Sequence, residues 1–300
     1  MSRLGNLKRK AFSDKTFNSF LLVILSLWLV ILLYPIIYII SSSFSSGAAV
    51  SGGNVLLWPV DISFIGYKLV FNNSAIWTGY SNTIFYSITS TCISLIFTIM
   101  VAYPLSRTNF QGKKVFTTYF MIPMFFGGGL IPSYILVSKL GLVDTRFFIV
   151  ICGALSISNM IILRTAFKSN IPNELFEAAK IDGITDIKFL LKIVLPLSKA
   201  TLAVITLYYL VGSWNSYFTE MIYLRDREKY SLQLVLRDIL NASTMSANTL
   251  TDPTLMAQME GASDVMKYCL IIVSTVPMLA VYFFVEKFFE KGVMVGSVKG

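Results

Sequence analysis

The chain has 300 residues, 55% of them hydrophobic and only 14% charged, with 25 Lys and Arg against 16 Asp and Glu. A soluble domain carries about 25% charged residues, so this chain lacks the polar coat of a water-facing surface, which excludes an ordinary cytosolic enzyme and a disordered regulator. On so apolar a background the cation excess fits membrane orientation better than phosphate binding, and no nucleic-acid partner is expected. The sequence has no histidine, which removes imidazole metal sites and His-based acid–base chemistry; no metal and no cofactor are expected.

A membrane-spanning helix needs about 20 mainly apolar residues. Six runs approach that length, at 20–40, 82–105, 115–137, 147–163, 202–218 and 268–285. Ser156, Ser158 and Asn159 interrupt the fourth, and Trp214 and Asn215 the fifth. The first run is longer than the roughly 7–15 residues of a signal-peptide core, so it is expected to be retained as a span. Cys92, Cys152 and Cys269 each lie inside an apolar run without CxxC spacing, as small buried hydrophobes do.

Orientation follows from the loops. With the N-terminal segment 1–16 on the cytoplasmic side, 17 of the 25 Lys and Arg fall inside, giving the inner segments a net charge of +10 and the outer segments −1. The positive-inside rule then places both termini in the cytoplasm. The expected fold is an all-α integral membrane protein with six transmembrane helices over 17–300. It has a cytoplasmic loop at 165–199, a large outer loop at 220–267 and a cytoplasmic tail at 286–300.

The inner loop is patterned rather than featureless. Pro172 suits the first turn of a helix, where its missing N–H costs nothing, and Glu174 and Glu177 favour the positive N-terminal end. Leu175, Ala178, Ala179 and Ile181 form a short apolar stripe. Gly183 can take the left-handed conformation that ends a helix. A second helix over about 186–194 is expected to stop before Pro196. Adjacent alanines let a backbone sink into a groove on another protein, although alanine is also simply the best helix former.

Glu177, Ala178, Ala179, Asp182 and Gly183, followed by Ile193, Leu195 and Pro196, resemble the EAA motif of permeases of ABC importers in residue type and spacing. The stretch from Phe126 to Pro196, with Gly127, Gly128 and Gly129, is similar to the carbohydrate subclass, especially permeases for polysaccharides and oligosaccharides, as are Trp214-Asn215 and the segment 222–227. The resemblance covers most of the chain after the second run and implies the type I importer permease fold. It also implies that the inner loop is a coupling helix docking on a cytoplasmic ATPase. The C-terminal stretch, with Gly296, Ser297, Lys299 and Gly300, looks like the tail of maltose-type permeases, which inserts between the two ATPases. The implied partners are a second homologous permease, two ABC ATPase subunits, an extracytoplasmic solute-binding protein and an oligosaccharide.

No Gly-x4-Gly-Lys-Ser/Thr phosphate loop occurs in the sequence, so ATP chemistry is expected in a partner and the chain is expected to be a transport subunit rather than an enzyme. Alternating access driven by ATP-dependent closure of the partners is the implied mechanism. The three glycines permit either a helix break or close helix contact, and Pro123 and Pro132 beside them favour distortion. Asn82, Asn159, Trp214 and Asn215 could line a sugar path, or join neighbouring helices. The run Arg225 to Glu228 suits either a docking loop or an intramolecular salt-bridge set. Another solute, an amino acid or a peptide, is the remaining alternative within this class. A self-contained secondary transporter would be expected to carry intramembrane ionisable residues, and the span cores hold essentially none.

Overall fold

The structure, a computed structural model, describes the backbone at 2–247 and 253–297 and the side chains at 17–242 and 261–286. All regular structure among these residues is helical. In chain order the elements are α1 (Ser2–Ser43), α2 (Gly47–Ser51), α3 (Ile65–Asn72), α4 (Ser74–Ser106), α5 (Lys113–Phe125), α6 (Leu130–Lys139), α7 (Arg146–Ile151) and α8 (Ile157–Asn170). They continue as α9 (Asn173–Ile181), α10 (Asp186–Phe189), α11 (Leu195–Leu197), α12 (Lys199–Trp214), α13 (Phe218–Tyr223), α14 (Leu232–Ala247) and α15 (Pro253–Ser297).

Three helices among the described residues are long and apolar enough to cross a membrane, at Phe17–Ser43, Ser74–Ser106 and Gly261–Glu286. They correspond to the first, second and sixth runs. The third run differs from its expectation as one span: α5 and α6 meet at 111°. Gly129 at the break takes φ 80° and ψ 162°, backbone open essentially to glycine alone, so the glycine cluster serves as a break. The fourth run is likewise divided, because α7 ends at Ile151 and α8 begins at Ile157, with Gly153 at φ 79° between them. The Ser156 hydroxyl caps α8 by accepting from the Asn159 N–H at 3.4 Å, which is the role serine favours at a helix start.

The chain divides into two compact units, 1–72 with 239–273 and 73–238 with 274–300. In the first, small residues set the packing. A Cβ on Gly47 would lie 2.7 Å from the Gly261 carbonyl carbon, and one on Gly261 would lie 2.9 Å from that of Gly47. Backbone meets backbone there, as small residues allow in membrane bundles. Ser45 is fully buried: its hydroxyl donates to the Ser41 carbonyl at 2.7 Å and accepts from the Val60 N–H at 3.0 Å.

In the second unit α4 is the axis, packed by α7, α8 and α12. Near its start a stripe at helical spacing grips the segment 228–232. Asn82 Nδ2 donates to the carbonyls of Glu228 and Tyr230 at 2.7 and 3.0 Å, and Tyr86 Oη to that of Lys229 at 2.8 Å. The Thr83 hydroxyl accepts from the Leu232 N–H at 2.7 Å. At its other end, Ala102, Tyr103 and Leu105 share a buried core with Met160, Leu163 and Phe167 of α8 and with Ala179, Phe189 and Val194.

Candidate functional site

The inner loop folds into an elbow on that core. Pro172, at φ −58° and ψ 150°, leads into α9 from the N-cap position. Gly183 takes φ 72° and ends the helix. Its N–H donates to the Lys180 carbonyl at 3.0 Å, and the Ile184 N–H to that of Ala179 at 2.9 Å, the paired reverse bonds of a Schellman cap. The Thr185 hydroxyl caps α10 by accepting from the Lys188 N–H at 3.4 Å.

The second arm runs further than the sequence predicts. It does not stop before Pro196 but continues from Asp186 to Leu197, then bends by 85° into α12. A π-helical turn at Leu190–Val194 re-phases the helix. That leaves Pro196 at the start of α11, where a missing N–H is tolerated.

The two alanines of the motif have different surroundings. Ala179 is 5% exposed, inside the core with Phe189. Ala178 is exposed, beside Glu174, Glu177 and Asp182. Leu175, Ile181 and Ile187 extend that outward surface, Ile181 at 87% exposure. The expected apolar stripe is therefore split: Ala179 lets α9 lie close on its support, and Ala178 leaves the outer face shallow. Ile193 and Leu195 are half-buried against the same core, and Pro196 is exposed. For the tail, Gly296 and Ser297 end the backbone of α15; Lys299 and Gly300, and the side-chain surroundings of all four tail residues, lie outside the described residues.

A second feature of this unit is a cavity of about 310 Å³ with a hydroxyl-rich wall. Ser90 and Ser94 line it from one face of α4, the α7–α8 break supplies Cys152, Gly153 and Ser156, and the first turn of α8 supplies Asn159. Tyr208, Tyr209, Gly212 and Ser213 of α12 form another wall, closed by Ser216, Thr219 and Glu220. Ser90 donates to the Ser213 hydroxyl at 3.0 Å, and Tyr209 Oη lies 2.6 Å from the Thr98 hydroxyl. Glu220 is 2% exposed, and its carboxylate accepts from the Ser216 hydroxyl at 3.0 Å. Sequence reasoning missed Glu220 by assigning it to the outer loop; the signal was an acidic residue two positions past an apolar run, where helical structure resumes as α13.

Of the four residues predicted for a sugar path, only Asn159 lines this cavity. Asn82 donates both amide hydrogens to backbone carbonyls. Trp214 is buried with its Nε1 donating to the Ser274 carbonyl at 3.0 Å, and Asn215 is exposed at the end of α12.

The segment Arg225 to Glu228 is held by a residue the sequence did not flag. Asp144, in a left-handed conformation at φ 60°, accepts from the backbone N–H groups of Arg225 and Asp226 at 3.1 and 3.2 Å and pairs with the Lys229 ammonium at 3.0 Å. The Arg225 N–H, the Lys229 side chain and the Asp226 N–H hold its carboxyl below the usual carboxylate range. Asp144 in turn raises the Lys229 ammonium above the usual lysine value. The backbone of this run thus serves an intramolecular network; the Arg225 guanidinium donates to Tyr134 Oη at 3.3 Å, and the Arg227 and Glu228 side chains are exposed.

Residues 74–295, which begin at the first residue of α4, match the model of the family described as binding-protein-dependent transport system inner membrane component. The chain belongs to this family. Members of this inner-membrane family are transport components rather than enzymes. Protein LplC of Bacillus subtilis (strain 168) is 36% identical over 270 residues, 90% of each chain. The polygalacturonan/rhamnogalacturonan transport system permease protein YtcP of the same organism is 33% identical, covering 96% of this chain and 99% of its own. A chain in the crystal structure of a bacterial ABC transporter involved in the import of the acidic polysaccharide alginate is 38% identical. It superposes with a TM-score of 0.82 over 92% of this chain and 98% of its own. The inner-membrane family and the three apolar helices together make this an integral membrane component.

Proposed function

We propose that the chain is one of two homologous permease subunits of an ABC importer, carrying an oligosaccharide or a fragment of a polysaccharide. The cargo class is supported by the relatives that cover nearly the whole chain, YtcP and the alginate importer among them. The remaining partners are two cytoplasmic ATPase subunits and an extracytoplasmic solute-binding protein. Both termini face the cytoplasm. The six transmembrane segments comprise α1, α4, α12, α15, the bent α5–α6 pair and the divided α7–α8 pair.

The observation that carries the proposal is the elbow: a capped helix presenting Glu177, Ala178 and Asp182 outward while Ala179 anchors it on the α4–α8–α12 core. ATP-driven closure of the ATPases pulls this elbow, and the core moves with it because the two share buried side chains. Asn159 and Glu220, with the hydroxyls around them, supply the hydrogen-bonding surface of this subunit's share of the path. Sugars suit such a wall, since each hydroxyl both donates and accepts. The tail at 296–300 is assigned to contact with the ATPases.

Reconstitution of the chain with its companion permease, ATPases and binding protein tests the function. ATP-dependent uptake of labelled oligogalacturonides or alginate oligosaccharides is expected. Uptake of a peptide or amino acid with no response to any oligosaccharide would overturn the cargo class.

A further inference from the structure

Arg107 follows the last residue of α4 and is 8% exposed. Its guanidinium carbon lies 5.3 Å from the ring centroid of Tyr103, 5.5 Å from that of Phe176 and 5.7 Å from that of Phe189. Tyr103 is in α4, Phe176 in α9 and Phe189 in α10, so one cation touches the axis of the unit and both arms of the elbow. Phe176 and Phe189 meet edge to face at 5.2 Å, and Tyr103 Oη donates to the Asp186 carbonyl at 3.3 Å. Nη1 is buried and finds no partner among the described residues, and no carboxylate lies within ion-pair distance of the side chain.

A buried guanidinium without a paired carboxylate is costly. Nε donates to the Ser106 hydroxyl at 3.4 Å and Asp186 acts on the charge from beyond ion-pair distance, but the groups packed against the guanidinium itself are the three rings, in cation–π geometry. The end of α4 is otherwise fixed from two sides: Lys113 Nζ donates to the Arg107 carbonyl at 3.1 Å and Arg164 Nε to that of Leu105 at 3.2 Å. Cations suit the negative end of a helix. From this anchored end α4 runs as one helix past Ser94 and Ser90 on the cavity wall to Asn82, Thr83 and Tyr86, which hold the segment 228–232.

We propose that Arg107 is a positioning residue for energy coupling: through its three aromatic contacts, displacement of the elbow is delivered to α4 as a rigid rod, and so to the cavity and the outer segment. The proposal rests on the elbow being the ATPase docking element. Phe176 and Phe189 move with the docking face, the guanidinium moves with α4, and no loop intervenes between them.

The test compares Arg107→Met, Arg107→Lys and Phe176→Leu in the reconstituted complex, measuring assembly, ATPase stimulation by loaded binding protein, and sugar transported per ATP hydrolysed. Methionine keeps an apolar filler but removes the cation; lysine keeps a cation that can face one ring. Assembly is expected to persist with Arg107→Met while transport per ATP falls at least fivefold, and Arg107→Lys is expected to recover to within about twofold of wild type. A role confined to packing would change yield and leave transport per ATP unchanged in whatever complex assembles. If Arg107→Met does not assemble, Phe176→Leu carries the test and is expected to lower transport per ATP at least threefold. Unchanged transport per ATP in the assembled variants overturns the proposal. If Ala178→Trp abolishes ATPase binding while the Arg107 and Phe176 variants transport normally, the docking assignment stands and only the strut fails; if Ala178→Trp also transports normally, the docking assignment itself is lost.

Discussion

The Asp144 carboxylate and the Lys229 ammonium meet at 3.0 Å between two loops, and the same carboxylate also accepts the backbone N–H groups of Arg225 and Asp226. Asp144→Asn keeps an oxygen for those N–H groups and loses only the half-exposed ion pair, which contributes little. Asp144→Ala loses every carboxylate contact, keeping only the backbone ones, and must hold φ 60° with a less tolerant residue. The thermal midpoint in detergent is expected to fall by about 2–4 °C for Ala and by less for Asn. Because folding depresses this carboxyl, its stabilisation is complete above the unfolded carboxylate value of 3.8 and is lost as pH falls through the lower folded value. The difference between wild type and Asp144→Ala is therefore expected to be constant from pH 7 to 5 and to shrink below about 4. A difference that grows in acid would contradict the assignment.

Gly79 lets α4 approach the segment 228–232. A Cβ there would lie 3.1 Å from Leu232 Cα and 3.3 Å from its nitrogen, a nitrogen already held 2.7 Å from the Thr83 hydroxyl. Gly79→Val is expected to destabilise by about 1–3 kcal/mol through overpacking. Thr83→Val is expected to cost about 1–3 kcal/mol by leaving a buried N–H without an acceptor. Thermal midpoints of the purified subunit check both, and a neutral Gly79→Val would mean the two backbones are not in contact.

Gly183 separates strain from crowding, since nothing lies within 4 Å of a Cβ placed there while its φ is 72°. Gly183→Ala is expected to weaken the elbow by about 1 kcal/mol from left-handed strain alone. Gly183→Asn is expected to cost less, because asparagine tolerates that region. Co-purification with the ATPase subunits is expected to fall in the order Gly, Asn, Ala; equal recovery of all three would remove the Schellman cap from the account of docking.

Glu220 and Asn159 belong to one cavity wall. Glu220→Gln preserves size and the Ser216 contact while replacing the carboxyl, which burial makes harder to ionise, by a neutral amide, and Asn159→Ala removes an amide. Each is expected to raise KM for the transported oligosaccharide about fivefold or more, as loss of one hydrogen bond to a charged or polar partner allows, with the complex still assembled. Asn82→Ala is expected to behave differently, lowering stability through the two carbonyls it serves. KM values unchanged in both cavity variants would remove the cavity from the path.

What the sequence makes legible, and what it conceals, follows from the range of the forces involved. Apolar length reveals the long helices α1, α4 and α15, because a membrane acts on whole segments. The motif at 177–196 carries its own turn chemistry, so Gly183 can be assigned its left-handed conformation without any tertiary knowledge. The break at Gly129 is only half visible: adjacent glycines permit it, but they permit close helix contact as well, and nothing in them specifies a 111° bend. The opposite surroundings of Ala178 and Ala179 depend on which side of α9 meets Phe189, and the fate of Asn82 on a segment about 150 residues away. Asp144 and Arg107 are single charged residues in short loops, with nothing in their neighbours' identities to announce the contacts they make.

The most direct test of the docking elbow is the sidedness of Ala178. A single cysteine placed there, with Cys92, Cys152 and Cys269 replaced by alanine, is probed with a membrane-impermeant maleimide in membranes of both orientations. Labelling is expected only in inside-out vesicles, and it is expected to be blocked when the ATPase subunits are bound. Labelling in intact, right-side-out membranes would contradict the placement of the elbow on the nucleotide side and, with it, the transmission of ATP-driven motion through this chain.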